Sequence, residues 1–419
     1  MTRFFAAVLL ATASATAANT PADAAPTPLT ALLDEAAQNN PDIRSARAAW
    51  QAAAQVPSQA STPPDPQVTV QSLSVGSPRP LAGFSNSEFA FLGLGVSQDL
   101  PYPGKLKLKG EAARQDSALE RDKLEGVRRG VLEQVKEAYL EIAYLQQVLD
   151  VLDKNGKVLE EIEKVAEDRY RVGQGTQQDV LKAQLERTKL LREAADQNGA
   201  MSRQQALLRK LLNRSQDSPG VTAGPLAETP LRLTSDQLMK MARQNSPAVA
   251  AGEDTVKRQS LEVEMARKDR YPDFNVQYMW QHTGSPFRDY YSLSFTARLP
   301  VYRKRKLNAE LDQSVDELNR ARHDYESQAQ SAFYDVRNQY IAADTAAQML
   351  KIYREGLLPQ ALASYQAGLA SYQTGRLDFE SLLASFLDVL NFDSEYWKTL
   401  LEHETALARI EQITGAPLN

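Results

Sequence analysis

The sequence predicts a mainly α-helical protein with a few β-strands, organised as a tandem duplication of one strand–hairpin unit. Two stretches, residues 105–169 and 304–371, continue a helical pattern that is interrupted only by isolated glycines and Pro359. Each stretch follows two short segments with the alternating pattern of a β-strand, and each ends at a glycine-containing turn before another helix. A repeated unit this long indicates two similar halves side by side rather than a solenoid.

The composition excludes several classes of function. The chain has 419 residues, a formal net charge of −5 and no cysteine. The nearly balanced charge gives no basic surface for nucleic acid, and the lack of cysteine excludes disulfides, thiol catalysis and cysteine metal sites. His282, His323 and His403 have polar neighbours and no metal-ligand spacing. We therefore expect three solvated histidines, no metal, no cofactor and no nucleic-acid partner.

The first 25 residues have the pattern of a secretory signal peptide. Arg3 precedes the apolar run at 4–10, and Ala-x-Ala cleavage sites follow, with cleavage expected between about residues 15 and 25. The alternative is a disordered alanine-rich tail. Export would place the mature chain in an envelope compartment, and no later stretch has about 18 consecutive apolar residues, as a membrane-spanning helix needs.

The two halves are predicted to contain the same elements in the same order. The first half, residues 26–212, has strands at 67–75 and 88–98, a bend at Pro101, Pro103 and Gly104, and helices at 105–169 and 177–212. A linker at 213–230 leads to the second half, residues 231–415, which has strands at 274–282 and 290–299, a bend at Pro300, and helices at 304–371 and 378–414. Pro359 should kink the longer of these two helices.

The strands have the length and pattern of membrane-crossing β-strands. Each has about ten residues, with one apolar and one polar face, as in a barrel with lipid outside and water inside. Four strands cannot close around a water-filled lumen, and an open edge is not tolerated in lipid, so several chains must pool their strands. The long helices would then continue the barrel as a hollow cylinder on the order of 100 Å long. The alternative is a soluble four-stranded sheet capping a coiled coil.

The chain resembles the TolC-like outer-membrane efflux proteins over nearly all of its mature length. The features that carry this resemblance are the duplicated plan, the Leu-Pro-Tyr-Pro-Gly-Lys bend at 100–105, a first turn with Val172-Gly173 and then Asp179-Val180, and a second turn with Tyr372, Gly375 and then Leu382-Leu383. The bend also resembles members that serve heavy-metal pumps. Against that subgroup, only six methionines follow Met1, and cysteine is absent.

The resemblance implies a passive exit duct in the outer membrane of a Gram-negative bacterium. It implies a homotrimer with a twelve-stranded barrel in the outer-membrane lipid, a twelve-helix periplasmic tunnel, and an equatorial collar formed by the linker and the terminal segments. It also implies docking to a periplasmic adaptor and, through it, to an inner-membrane pump of the RND type. The alternatives are a periplasmic adaptor, which has one hairpin rather than two, and a soluble coiled-coil structural protein. No catalytic constellation is present, so we expect no enzyme.

The two turns between the long helices are the expected docking tips. The candidate residues are Val172, Gly173, Gln174, Gly175 and Thr176 in the first turn, and Thr374, Gly375, Arg376 and Leu377 in the second. Glycine suits both a tight turn and the close approach of a partner helix. These glycines either serve only the chain reversal or serve recognition as well.

The candidate gate residues are Asp179, Tyr372, Asp378 and Ser381. In the family that the chain resembles, an aspartate of the first tip forms a hydrogen bond with a tyrosine of the second tip and holds the tunnel closed. These positions correspond to Asp179 and Tyr372. Alternatively, Asp179 is a first-turn acid favoured by the helix dipole. Thr176 and Asp378 are expected N-caps, and Asp378 could instead be a lumen-facing charge. Where some members carry an acidic ring this chain has Ser381 and Ala384, so we expect a hydrogen-bonded or steric gate.

Overall fold

The computed structural model describes residues 26–79, 81 and 87–418. The predicted signal peptide, residues 1–25, lies outside the described residues, as does part of the predicted loop between the first two strands. The elements of the first half are α1 (Leu29–Asn39), α2 (Pro41–Ala53), α3 (Val56–Ser61), β1 (Gln67–Leu73), β2 (Phe91–Leu100), α4 (Lys105–Arg171) and α5 (Gln177–Leu211). Those of the second half are α6 (Ser235–Asn245), α7 (Pro247–Lys268), β3 (Asp273–His282), β4 (Tyr290–Arg298), α8 (Asn308–Ile352), α9 (Leu358–Gln373) and α10 (Phe379–Thr414).

The strand ends differ from the predicted ones because cross-strand pairing sets them. β1 ends at Leu73, not at residue 75, since its ladder with β2 ends at the Leu73–Phe91 pair. β2 begins at Phe91 rather than at residue 88 and continues to Leu100, which pairs with Phe274 of β3. Alternating sequence predicts that a strand is present but does not show where its partner stops.

The four strands form one antiparallel sheet in the order β1-β2-β3-β4, and β2 and β3 join the two halves of the chain. One face carries apolar side chains in two cross-strand rows, Val68–Val96–Tyr278–Leu293 and Val70–Leu94–Trp280–Tyr291. These eight side chains are between 37% and 74% exposed. A continuous exposed apolar band of this kind marks a surface that faces lipid or another protein. Among the described residues, no helix is both long and apolar enough to span a bilayer.

The first strand-to-helix bend, residues 101–104, is fastened to the second half of the chain. Lys105, which is buried just after the bend, forms ion pairs of 3.0 Å with both Asp269 and Asp273. The backbone N–H of Tyr102 donates to the Asp273 carboxylate at 2.8 Å. These contacts fix the direction in which α4 leaves the sheet.

The second half differs from the first in two π-helical turns that lie near prolines. One turn, Arg303–Leu307, follows the bend at Pro300 and leads into α8. The other, Tyr353–Leu357, ends two residues before Pro359, and it divides the predicted helix 304–371 into α8 and α9. Pro359 cannot donate to the carbonyl four residues earlier, which lies in the second of these turns, and the wider turn accommodates that missing bond.

The long helices pack into one elongated bundle with separate apolar clusters along its length. At 1.5 Å per residue, the 67 residues of α4 extend for about 100 Å. A central cluster combines α4 with α1, α5 and the linker, and includes Val135, Ile142 and Leu208. A second cluster, beneath the two turns, includes Ile162, Leu382 and Phe386. The hydrophobic core therefore consists of several clusters along the bundle rather than one central core.

His403 contradicts the expectation of three solvated histidines. Its side chain is 1% exposed, with Nδ1 2.9 Å from the carbonyl oxygen of Ala343 and Nε2 2.8 Å from that of Thr229. The expectation was wrong because α10 packs against α8 at this position and the linker covers it. His282 and His323 are exposed, as expected.

Candidate functional site

The first turn of the candidate site reverses the chain between α4 and α5. Gly173 has a φ of +76°, which is left-handed and favours glycine. The N–H of Gly173 donates to the Tyr170 carbonyl at 3.0 Å, and the N–H of Gln174 donates to the Arg169 carbonyl at 2.8 Å. These bonds satisfy the last carbonyls of α4, so the turn is closed by its own backbone.

The second turn is built in the same way between α9 and α10. Gly375 has a φ of +75°, its N–H donates to the Tyr372 carbonyl at 3.0 Å, and the N–H of Arg376 donates to the Ser371 carbonyl at 2.9 Å. Each bond connects the same relative positions as in the first turn. The two helical hairpins, α4–α5 and α9–α10, therefore have matching turns at their tips.

The returning helices begin at the two predicted N-caps. Thr176 and Asp179 form a capping box, in which the Thr176 hydroxyl accepts from the N–H of Asp179 at 3.2 Å and the Asp179 carboxylate accepts from the N–H of Thr176 at 3.2 Å. Asp378 caps α10 by accepting from the N–H and the hydroxyl of Ser381, at 2.8 Å and 2.9 Å. These hydrogen bonds lower the pKa of the Asp378 carboxyl. Asp179, Asp378 and Ser381 are thus occupied within their own helix starts.

The predicted docking residues lie at the surface of the turns. Val172, Gly173, Gln174, Thr176, Thr374, Gly375 and Arg376 are exposed, and Gly175 and Leu377 are half-buried. A partner can therefore reach backbone and side chains of both turns.

Arg169 connects the two turns. Its Nη1 donates to the Tyr372 carbonyl of the second turn, and its Nη2 donates to the Gln174 carbonyl of the first turn at 3.0 Å. The guanidinium carbon also lies 4.6 Å from the centre of the Tyr372 ring, within the range of a cation–π interaction. One planar side chain therefore contacts both turns at once.

The predicted hydrogen bond between Asp179 and Tyr372 is not formed. The Tyr372 side chain is 2% exposed, and its hydroxyl has no hydrogen-bond partner among the described residues. Asp179 is instead held by Thr176. Burial and the nearby Asp179 charge raise the pKa of Tyr372, although Arg169 acts in the opposite direction. The prediction failed because the local cap satisfies Asp179 at no cost in loop ordering.

Below the turns, further contacts join the two hairpins. Tyr372 of α9 packs edge-to-face on Phe379 of α10, with ring centres 5.8 Å apart, and the apolar cluster beneath the turns joins both rings to Ile162 of α4 and Ala183 of α5. Lys182 of α5 pairs with Glu380 of α10. The site is therefore one four-helix tip with a shared core. Within the described part of the chain, no group of three or more His, Asp or Glu side chains could hold a metal ion.

The sequence model of the outer membrane efflux protein family matches residues 32–214 and 238–416. The chain belongs to this family. The two matched ranges correspond to the two halves of the fold, and membership confirms the resemblance and the outer-membrane location that the sequence predicted.

Structural comparison agrees with membership in the outer membrane efflux protein family. The outer-membrane channel OprN is 17% identical, with a TM-score of 0.80 over 93% of this chain and 90% of OprN. The outer membrane protein VceC from Vibrio cholerae is 17% identical, with a TM-score of 0.76 over 93% of this chain and 97% of VceC. At these identities the likeness shows the shared fold, which confirms the predicted fold class.

A curated relative matches over a shorter range. Protein CyaE from Bordetella pertussis is 31% identical over 172 residues, which are 40% of this chain and 34% of CyaE. The chain therefore spans about a third of the length of this curated relative.

Sequence reasoning missed Arg169 and the Lys182–Glu380 pair. Arg169 looked like one more charge in a solvated helix end, and its partner Tyr372 is 203 positions away. Lys182 and Glu380 are likewise 198 positions apart. No sequence pattern marks either contact, because Arg169 bonds a backbone carbonyl and the Lys182–Glu380 pair forms only when the two hairpins pack together.

Proposed function

We propose that this chain is the passive outer-membrane exit duct of a tripartite efflux system, assembled as a homotrimer. The observation that carries the proposal is the exposed apolar band that crosses all four strands at the end of the molecule remote from the turns. The outer membrane supplies the apolar surroundings that this face needs. Membership in the efflux family favours a duct over a periplasmic adaptor or a soluble coiled-coil protein.

The open edges of the sheet support the trimer. β1 pairs on one side with β2, and β4 pairs on one side with β3, so each edge strand offers unpaired backbone groups. In lipid these groups require partners. If β4 of one copy pairs with β1 of the next, three copies of four strands close a twelve-stranded barrel, and their hairpins continue it as the periplasmic tunnel.

The linker and the N-terminal segment support the proposed equatorial collar. The N–H of Thr27 donates to the Thr222 carbonyl at 2.9 Å, and the Arg214 guanidinium grips the Glu35 carboxylate with bonds of 2.7 Å and 2.5 Å. The Tyr139 hydroxyl, near the middle of α4, contacts both segments. These contacts hold the two segments around the middle of the bundle.

The turns are the proposed docking surface for a periplasmic adaptor and, through it, an inner-membrane pump of the RND type. They lie at the far end of α4 from the sheet, and most of their predicted docking residues are exposed. We propose no catalytic role for the chain, because energy for transport would come from the pump.

A matched pair of lysine substitutions tests the duct. Leu293→Lys places a charge on the apolar band, at a cost of about 2–4 kcal/mol if this face meets the bilayer midplane. Ser292→Lys places the same charge on the opposite face of the same strand and serves as the control. We expect detergent-requiring trimers in the outer-membrane fraction for the wild type and for Ser292→Lys, and much less membrane-inserted protein for Leu293→Lys. Recovery of the wild type in the soluble periplasm would refute the duct.

A further inference from the structure

We propose that Arg169 is a positioning residue that holds the two turns at a fixed spacing, so that they form one rigid surface. The inference rests on the proposed function in one respect: that function makes the paired turns a docking surface. The spacing itself is a property of this chain, and it can be measured without any partner.

The contacts of Arg169 are distributed over both turns. Separate nitrogens of one guanidinium reach the carbonyl oxygens of Gln174 and Tyr372, and the guanidinium carbon lies over the Tyr372 ring. Hydrogen bonds from a charged donor are stronger than neutral ones, and the planar guanidinium sets the directions of its donors. The distance between the two turns is therefore fixed by the shape of one side chain.

Arg169 is not required to form either turn. The bonds that close the first turn come from the backbone of 169–174, and those that close the second come from the backbone of 370–376. The apolar cluster beneath the turns and the Lys182–Glu380 pair also remain without this side chain. Removing the guanidinium should consequently widen the range of distances between the two turns, while each turn and each helix stays intact and the cluster and the ion pair keep the hairpins together.

The position of Arg169 is tightly constrained. A methyl group on Gly175 would lie 3.2 Å from the Arg169 Cβ, and one on Gly375 would lie 3.6 Å from a guanidinium nitrogen. The Nε atom is buried and has no hydrogen-bond partner among the described residues. Gly175 thus lets the first turn close against the start of the Arg169 side chain, and Gly375 lies at ordinary contact distance from its guanidinium. A pre-set spacing lowers the ordering cost for any partner that contacts both turns.

The chain has no cysteine, so spin labels can be placed at unique thiols. We would label Gln174→Cys and Thr374→Cys, both exposed, in full-length protein, and dilute labelled copies with unlabelled ones to isolate distances within one copy. The distance distribution is then compared among wild-type Arg169, Arg169→Gln and Arg169→Lys. Arg171→Gln is the control, because Arg171 pairs only with Glu167 and Asp168 of its own helix in the described structure.

We expect a narrow distribution for the wild type and the control, and a distribution at least twofold broader for Arg169→Gln. Arg169→Lys should fall between them, because an ammonium does not reproduce the two fixed donor directions. The helical content and thermal midpoint of Arg169→Gln should stay close to wild type, which a general loss of folding would not give. Trypsin should cleave after Arg376 faster in Arg169→Gln than in the wild type.

An unchanged distribution in Arg169→Gln would overturn the proposal, and so would a lysine variant identical to wild type. Broadening that comes only with a large fall in thermal midpoint would also overturn it, since Arg169 would then be a folding residue. Recovery of the wild type in the soluble periplasm would refute the duct but would not affect the measured spacing of the turns. The two failures are therefore distinguishable.

Discussion

The carboxylate of Glu404 accepts two hydrogen bonds from Thr229, one from its backbone N–H at 2.7 Å and one from its hydroxyl at 2.9 Å. The adjacent His403 contacts the Thr229 carbonyl on the other side of the same residue. Two consecutive side chains of α10 therefore contact the same linker residue. Because His403 also reaches the Ala343 carbonyl of α8, this point fastens the linker to both long helices of the second hairpin.

Stability at this linker contact should depend on pH through Glu404. Burial raises the pKa of Glu404 above its ordinary value of 4.5, although the bonds from Thr229 and the nearby His403 lower it. The folded state then holds more protons than the unfolded state between 4.5 and the folded pKa, so the free energy of unfolding rises as pH falls through that window. Glu404→Gln keeps one acceptor oxygen but cannot titrate. We expect the gain in thermal midpoint between pH 7.5 and pH 5 to shrink by about 2 °C in this variant.

Glu402→Gln is the control for the Glu404 prediction, because Glu402 is exposed on the same helix. Scanning calorimetry of both variants at the two pH values measures the effect. If the thermal midpoint depended on pH equally in Glu404→Gln and in wild type, the Glu404 carboxyl would contribute nothing to the change in stability between pH 7.5 and pH 5.

The sequence predicts α10 and its seam but not the burial of His403. Its periodic apolar positions are local information, whereas the two carbonyls that face His403 lie 60 and 174 positions away. A single histidine between polar neighbours looks solvated until the partner segments are placed. The same limit applies to Lys105, which is buried because Asp269 and Asp273 meet it across the duplication.

Tyr139→Phe should loosen the linker and the N-terminal segment together. The Tyr139 hydroxyl donates to the Thr27 carbonyl at 2.9 Å and accepts from the N–H of Gly224 at 2.8 Å. Without the hydroxyl, both backbone groups lose a partner in a part-buried place, at a cost of about 1–3 kcal/mol. Tyr334→Phe, at an exposed ring, is the control. Amide hydrogen exchange near residues 27 and 224 should accelerate in Tyr139→Phe and not in Tyr334→Phe. Unchanged exchange in Tyr139→Phe would show that this hydroxyl does not hold the collar segments in place.

Asp378→Ala should weaken the start of α10. The carboxylate accepts two bonds from Ser381, and the alanine side chain offers no acceptor for the N–H groups of the first turn of α10. The hydrogen bonds from Ser381 lower the pKa of Asp378 in the folded state, so this stabilisation is present above the ordinary value of 3.8 and is lost as pH falls through the folded pKa. Faster amide exchange at 379–382 measures the loss.

Ser381→Ala is a milder variant for comparison with Asp378→Ala. It removes the bond from the Ser381 hydroxyl to Asp378 and keeps the bond from the Ser381 N–H. It should give a smaller change at the same amides. If Asp378→Ala changed ion selectivity but not amide exchange, Asp378 would be a lumen charge rather than a cap.

The tips show which part of a site sequence can predict. Both N-caps follow from residue type and spacing within four residues, and both are formed. To predict whether Asp179 bonds Tyr372, one must know which of two available partners Asp179 takes. It takes the local one, Thr176, because that bond does not require a distant segment to be ordered. The Arg169 contact between the hairpins uses a backbone carbonyl, which any residue supplies and no sequence pattern marks.

Tyr372→Phe should leave the tip unchanged, whereas Tyr372→Ala should disrupt it. The hydroxyl is buried without a partner in the described structure, so removing it costs little and relieves an unsatisfied polar group. The ring itself packs on Phe379 and lies under the Arg169 guanidinium, and truncating a buried aromatic ring costs about 3–5 kcal/mol. In planar bilayers we expect the resting conductance of Tyr372→Phe to equal that of wild type, and that of Tyr372→Ala to be higher and noisier. Raised conductance in Tyr372→Phe would reinstate a hydrogen-bonded latch through this hydroxyl, and the Asp179→Ala variant would then show the same increase.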